Sequence, residues 1–395
     1  MGYDCRTHEN YVQKLMHLLI ATGIFPPDIG GPATYSKTVA EEFSKRGHQV
    51  TVITYSSAKD VEAKSYKLKV ISSALPKGIR HVVYFWNVLQ VGRRADIMYA
   101  QDAVSAGFPA MIASLMLRKR FFLKVVGDHA WEQGVQCYGV TELLDDFLTK
   151  TYGVRVALLR FFRKRTARRA EKIIVPSTYL KSVVERWGIP SERIAVIPNA
   201  ISLPATIFTK EEARGILGLD GFLLVTVGRL VPWKGFRMLV ELMPDLITII
   251  PNAKLIVIGS GPEEETLKII SHNLNASVVF TGAMLKDQLF QYLAAADVCC
   301  LNTSYEGFSH QLVEALAVGV PVITTSAGGN KEVVRDGENA LVAEYNNPKS
   351  WKGCVLRLYE DRELRDKLSQ KNNGVIECYS IGNMIQKTES IILNS

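Results

Sequence analysis

The sequence is poor in cysteine: six in 395 residues, with no CxxC spacing, which removes a disulfide-stapled scaffold and a thiolate zinc site from consideration. Long apolar runs are also missing. The longest uncharged stretch, Ala103 to Leu117, is shorter than the roughly 20 apolar residues that span a bilayer, and it contains Gly107 and Pro109. Leu15 to Phe25 is apolar enough for a signal-peptide core, but Asp4 and Glu9 precede it and no clear small-residue cleavage site follows. A buried strand is the expectation there. Arg6 occupies the position where N-myristoylation requires Ser or Thr. There is no low-complexity tract, no 20–50-residue repeat, no HExxH and no Asp-any-Asp, two aspartates separated by a single residue. These absences leave a globular chain in a reduced, cytoplasmic compartment.

With 47% hydrophobic and 22% charged residues, the composition is that of a folded protein of two or three domains. The net charge of +8 is unevenly spread: residues 1–200 hold 29 Lys and Arg against 17 Asp and Glu, and residues 201–395 hold 18 against 22. Such asymmetry marks two halves with different tasks, and it makes an anionic ligand or surface a candidate partner of the first.

Short apolar runs alternate with amphipathic stretches, as a parallel sheet covered on both faces requires. Strands are expected at Leu15–Thr22, Val50–Tyr55, Asp96–Ala100, Phe121–Val126 and Lys172–Pro176, then at Phe222–Val227, Lys254–Ile258, Val278–Thr281, Val298–Asn302 and Pro321–Thr325. The fold class is therefore α/β, with two Rossmann-like domains facing across a cleft. IPNAISLPATIFTK, from Ile197 to Lys210, carries two prolines and no period, and it marks the boundary. The expected division is an unstructured extension at 1–14, a first domain at 15–203, a second at 204–375 and a terminal helical segment at 376–395.

Three groups of residues carry chemistry. Gly30 and Gly31 precede Pro32 after the first strand, where glycine lets backbone N–H groups approach an anion at a helix N-terminus. A tight strand-to-helix turn uses the same pair. In VTVGRLVPWKGF, Arg229 and Lys234 flank a turn at a strand's carboxyl end, suited to neutralise a pyrophosphate leaving group, although lone loop cations are commonly just solvated. In YEGFSHQLVEALAVGVPVITT, Glu306 and Glu314 are eight residues apart. On one helix that is a rise of about 12 Å, roughly the reach from the sugar of a nucleotide sugar to its ribose. It exceeds the 5 to about 9.5 Å separation of glycosidase carboxylates. An exposed helix face is the plainer alternative.

Taken together, Gly30-Gly31, Arg229 with Lys234, IGSGPEE at Ile258–Glu264, Glu306-Gly307-Phe308 through Glu314, and GGNKEVVRDGENALV from Gly328 resemble the retaining glycosyltransferases of family four, which have the GT-B fold. The likeness runs from about Leu15 to the last helix. It implies that Glu306 contacts donor-sugar hydroxyls, that Glu314 contacts the ribose, and that Arg229 and Lys234 bind the diphosphate. Gly259 and Gly261 would border the donor, and backbone amides near Gly307, Phe308 and Ser309 would meet its sugar and phosphate. The last helix, Ile381–Asn394, would cross back onto the first domain. The implied reaction moves a sugar from a nucleotide diphosphate sugar to a sugar or lipid-linked hydroxyl acceptor in envelope polysaccharide, lipopolysaccharide or glycolipid synthesis. No metal and no other cofactor is expected, because Arg229 and Lys234 would stabilise the leaving group, and no nucleic acid partner is expected. Many relatives carry a histidine after the fourth expected strand; here VVGDHAWEQ offers Asp128 or His129.

One further segment, RVALLRFFRKRTARRAEK, concentrates Arg160, Arg163, Lys164, Arg165, Arg168 and Arg169. It reads either as a helix lying on an anionic membrane at the inner face or as a packed helix with solvated arginines. Two rivals to glycosyl transfer remain open: a nucleotide-sugar epimerase of the same fold, and a non-catalytic binder of polyanions or membranes that has no use for Glu306, Glu314, Arg229 and Lys234. A dehydrogenase is disfavoured, since Pro262, Glu263 and Glu264 follow Gly261 where the third glycine of a dinucleotide fingerprint belongs.

Overall fold

The computed structural model describes residues 15–28, 30–56, 65–204, 206–370 and 377–394; the extension expected at 1–14 lies outside them. Two parallel sheets account for the chain's apolar runs. In the first, β1 (His17–Ala21), β2 (Gln49–Ser56), β3 (Lys67–Ser72), β4 (Ile97–Ala100), β5 (Arg120–Lys124), β6 (Ile173–Val175) and β7 (Ile194–Val196) lie in the order β3-β2-β1-β4-β5-β6-β7. The second holds β8 (Phe222–Val227), β9 (Ala253–Ile258), β10 (Val278–Gly282), β11 (Val298–Leu301), β12 (Val322–Thr324) and β13 (Leu341–Val342) in the order β10-β9-β8-β11-β12-β13. Every ladder is parallel, and central strands such as β8 are buried along their whole length because helices cover both faces. Three strands go beyond the sequence expectation: β3, β7 and β13. All are edges, and β3 alternates exposed lysines with apolar residues, which weakens a buried-strand signal.

In both sheets the order reverses next to the first strand, so the carboxyl ends of β1 and β4 and of β8 and β11 open a crevice. The helix Ile381–Asn394 packs Met384, Ile385 and Ile392 into the first sheet's core beside Leu18 and Ile20. Glu389 of that helix binds Arg46 and His48, the latter at 3.0 Å, which fixes the chain's end to the first domain.

Asp128, expected near the reaction centre, is instead a structural hub. It caps the helix His129–Cys137 through the N–H groups of Ala130 and Trp131, takes a 3.2 Å bond from Trp187 Nε1 and pairs with Arg163. Both ionic partners are buried, and Asp128 is fully enclosed. Asp128→Ala strands the Arg163 guanidinium, so chemical unfolding followed by tryptophan fluorescence should show a loss of about 3–5 kcal/mol in the first domain. An unchanged midpoint would contradict this.

Lys124, at the end of β5, is also enclosed, with Nζ 4.4 Å from the Tyr35 ring centre and donating at 3.3 Å to the Ile197 carbonyl. Burial pulls its pKa from 10.5 down to about 7. Between those values the unfolded chain binds the extra proton and the folded chain does not, so this group makes stability rise with pH across that window. Lys124→Met should flatten the rise in thermal melts taken at several pH values; an identical slope in the variant would refute the assignment.

Candidate active site

The crevice between the sheets is a cavity of about 980 Å³, walled by both domains. From the first come Gly30, Gly31 and His129; from the second, Arg229, Lys234 and Glu306. The helix Gly31–Lys45 points its N-terminus at this space. Its first turn contains no acidic side chain and its cap, Gly30, offers no side-chain oxygen, so the first N–H groups and the positive end of the dipole remain available to an anion.

Opposite, β8 runs into Gly228 and Arg229, and a single turn, Pro232–Lys234, brings Lys234 back over the strand end. Its ammonium is ion-paired with Glu306, both side chains being largely withdrawn from water. Arg229 is exposed and reaches across the opening, where Nη2 donates to Gln136 Oε1 at 3.3 Å. Gly259 and Gly261 line the wall of the cavity. At Gly259, φ is +135° and a Cβ would stand 1.9 Å from the Gly228 carbonyl oxygen, so glycine here allows the β8 and β9 loops to close on each other.

Glu306 and Glu314 do not share a helix. Glu306 lies in the loop after β11, and the helix starts at His310, capped by Ser309, whose Oγ accepts the Leu312 N–H at 3.3 Å. Gly307 and Phe308 face the cavity, whereas Ser309 and Glu314 stand behind its lining. Glu314 is 2% exposed and bound to Lys286 Nζ at 2.8 Å; burial pushes its carboxyl up, against the pull of that lysine. The Gly307 carbonyl accepts the Ser177 hydroxyl at 2.6 Å, and a Cβ on Gly307 would lie 2.4 Å from the Val126 oxygen. The glutamate loop is thus clamped directly to the first domain.

Of the two residues offered after β5, His129 faces the cavity and Asp128 does not. Two neighbours went unnoticed in the sequence. Glu132, one turn beyond His129, lines the cavity, and burial raises its carboxyl pKa against the opposing pull of His129 and Arg229. It lies within VVGDHAWEQ, but its direction depends on Asp128 starting the helix. His310 is partly buried between the domains, 3.3 Å from Asn199 Nδ2, and its pKa is lowered to about 3 by desolvation and then by Lys286, Lys124 and Lys234. It is a neutral imidazole at neutral pH, and Gly31 abuts it so closely that a Cβ there would sit 3.1 Å from Nε2.

The basic segment forms the helix Val154–Arg169, but half of its marked cations turn inward. Arg163 holds Asp128, Arg160 donates to the Phe147 and Lys150 carbonyls, and Arg169 donates to the Lys119 carbonyl at 3.0 Å. Arg163 and its buried partner therefore do not form part of an outward surface; Lys164, Arg165 and Arg168 remain exposed.

Comparison with known proteins agrees with this geometry. Residues 29–203 match the model of Glycosyltransferase Family 4, and residues 209–374 match that of Glycosyl transferases group 1. An uncharacterized glycosyltransferase of Methanocaldococcus jannaschii is 26% identical, covering 95% of this chain and 97% of its own. A GDP-mannose-dependent phosphatidylinositol monomannoside mannosyltransferase of Mycolicibacterium smegmatis is 26% identical over 83% of this chain and 85% of its own. Among solved structures, HepE of Anabaena in complex with UDP-glucose superposes with a TM-score of 0.76 at 19% identity, covering 96% of this chain and all of that one. WaaG, a glycosyltransferase of lipopolysaccharide biosynthesis, superposes with a TM-score of 0.73 at 17% identity, covering 96% of this chain and 100% of that one. With two facing Rossmann-like domains, a cleft between them and family models spanning both, the chain belongs to the family-four glycosyltransferases of GT-B fold.

Proposed function

We propose that this enzyme transfers a glycosyl unit, with retention at the anomeric carbon, from a nucleoside diphosphate sugar to a hydroxyl of a saccharide or lipid-linked acceptor. The observation that carries the reading is the Lys234–Glu306 pair, held where the carboxyl edges of both sheets meet. In this reading the diphosphate displaces Glu306 from Lys234. The ammonium, the Arg229 guanidinium and the N-terminal amides of Gly31–Lys45 then hold the diphosphate from three sides. Glu306, released, accepts hydrogen bonds from hydroxyls of the donor sugar, beside the backbone of Gly307 and Phe308. Glu314 reaches the ribose only if Lys286 gives way, since that lysine occupies its carboxylate.

The acceptor hydroxyl enters from the first domain, where His129 and Glu132 border the cleft. Its oxygen bonds to the anomeric carbon as the bond to the phosphate oxygen breaks on the same face, and the departing phosphate oxygen takes the acceptor's proton. No enzymic nucleophile is required. Charge developing on the leaving group meets cations already in place, and this preorganisation is the main contribution to the rate. The relatives named for phosphatidylinositol mannoside and lipopolysaccharide synthesis support a lipid-linked acceptor in envelope or glycolipid synthesis.

Replacing one such cation typically lowers turnover by about 10²–10³-fold. Nucleoside diphosphate release from a panel of sugar donors should show this loss for Lys234→Ala and a comparable one for Glu306→Gln. The double variant should lose less than the product of the two, because the residues act as a pair. Turnover within threefold of the parent for Lys234→Ala would rule the reading out. Because Arg229 and Lys234 neutralise the leaving group here, activity should survive excess chelator unchanged; recovery only on adding Mg²⁺ or Mn²⁺ would overturn the metal-independent mechanism.

A further inference from the structure

The helices Lys77–Gly92, Gly107–Leu117 and Val154–Arg169 form one layer on a single side of the first sheet. The middle helix touches both neighbours: a Cβ on Gly92 would lie 3.0 Å from Leu117 Cδ1, and the Phe108 and Phe162 ring centres are 4.6 Å apart. Across residues 77–94, 107–120 and 154–170 the sequence has 14 Lys and Arg and no Asp or Glu. The carboxylates that pair with Arg120 and Arg163 in this layer, Glu171 and Asp128, come from outside those stretches. Elsewhere on the domain the charges are mixed: Glu41, Glu42 and Glu389 pair with Lys37, Lys45 and Arg46 on the sheet's other side, and Asp145 pairs with Arg186 beside the basic layer.

The outward surface of the basic layer is apolar where water-facing helices normally carry polar groups. Ile79, Val82 and Trp86, spaced three and four residues apart, are 55%, 67% and 54% exposed. Leu115 and Met116 are exposed at the end of the middle helix, and Leu158 and Phe161 on the third. Exposed cations adjoin them: Arg93, Arg94 and Arg118 at the ends of the first two helices, and Lys164, Arg165 and Arg168 on the third. The layer also adjoins the catalytic cleft. Arg80 and His81, in the first turns of Lys77–Gly92, line a side cavity of about 270 Å³ that shares Gly23, Ile24 and Ser105 with the main one.

We propose that this three-helix face docks on an anionic lipid surface, its apolar side chains entering the headgroup boundary and its cations meeting lipid phosphates. The two properties fit one occupant. Apolar burial alone suits any interface, but unopposed positive charge around it selects a negatively charged one, and a membrane presents that charge as a plane. The docked helix Lys77–Gly92 would set the side cavity at the membrane level, where a lipid-borne acceptor enters. The surface is wider than the basic segment alone, since its most exposed aromatic–aliphatic stripe comes from another helix.

The test is vesicle sedimentation of the full chain with neither donor nor acceptor present, so its result stands apart from the transferase reading. Vesicles of phosphatidylcholine alone are compared with vesicles containing phosphatidylglycerol. The chain should sediment with the anionic vesicles only, less so as salt rises. Val82→Glu/Trp86→Glu and, separately, Lys164→Glu/Arg165→Glu/Arg168→Glu should each weaken binding by at least about tenfold. All five side chains are exposed, and thermal melts check that both variants stay folded. Equal binding to the two compositions, or parental binding by either variant, would overturn the proposal. So would a concentration-dependent dimer abolished by Val82→Glu/Trp86→Glu in a chain that ignores vesicles, which would assign the face to a second copy.

Discussion

An ammonium and a carboxylate that neutralise one another at the mouth of a cleft constitute the constraint on which the rest of this molecule is built. Lys234 and Glu306 come from the loops after neighbouring strands, β8 and β11. Holding two largely buried charges together is costly unless each finds a partner, and here each partner is the other. A ligand that brings its own negative charge to the lysine and its own hydroxyls to the glutamate replaces both halves of the pair. On the proposed reading, the site recognises a molecule whose anionic and hydroxylated groups are close together.

The two domains meet through contacts close to this pair. Trp131 of the first packs at a tilt against Trp233 and edge-on against Tyr305 of the second, with ring centres 5.0 and 4.8 Å away, beside the Lys234 turn and the Glu306 loop. The N–H groups of Thr178 and Tyr179 bind the two oxygens of Glu332, and Ser177 binds the Gly307 carbonyl. The loop that carries Glu306 is thus seated on the first domain, not free in its own. The terminal helix, locked by Glu389 to Arg46 and His48, returns the end of the chain to that same domain. The chain therefore crosses between domains twice.

Much of this was legible in the sequence because a parallel sheet writes its central strands as apolar runs. The expected runs at Val50, Phe222 and Val298 coincide with β2, β8 and β11. The edges β3, β7 and β13 were not legible, since a strand half in water alternates or is too short to stand out. At the site, residue type was informative and direction was not. Glu306 and Glu314 looked like one helical face, but Ser309 starts the helix after the first of them. Asp128 and His129 were inseparable in sequence until the capping geometry turned one inward and the other toward the cleft. Arg163 looked like its basic neighbours because its partner, Asp128, is 35 residues away. Glu132 and His310 acquired significance only through what packs against them.

The central claim is that the cation–carboxylate pair yields to a nucleoside diphosphate sugar. It is tested most directly by a crystal structure of the chain with such a donor. The account predicts diphosphate oxygens about 3 Å from Lys234 Nζ, with Glu306 turned away from the lysine and onto hydroxyls of the sugar. A donor bound elsewhere, or one that leaves the Lys234–Glu306 contact intact, would contradict it.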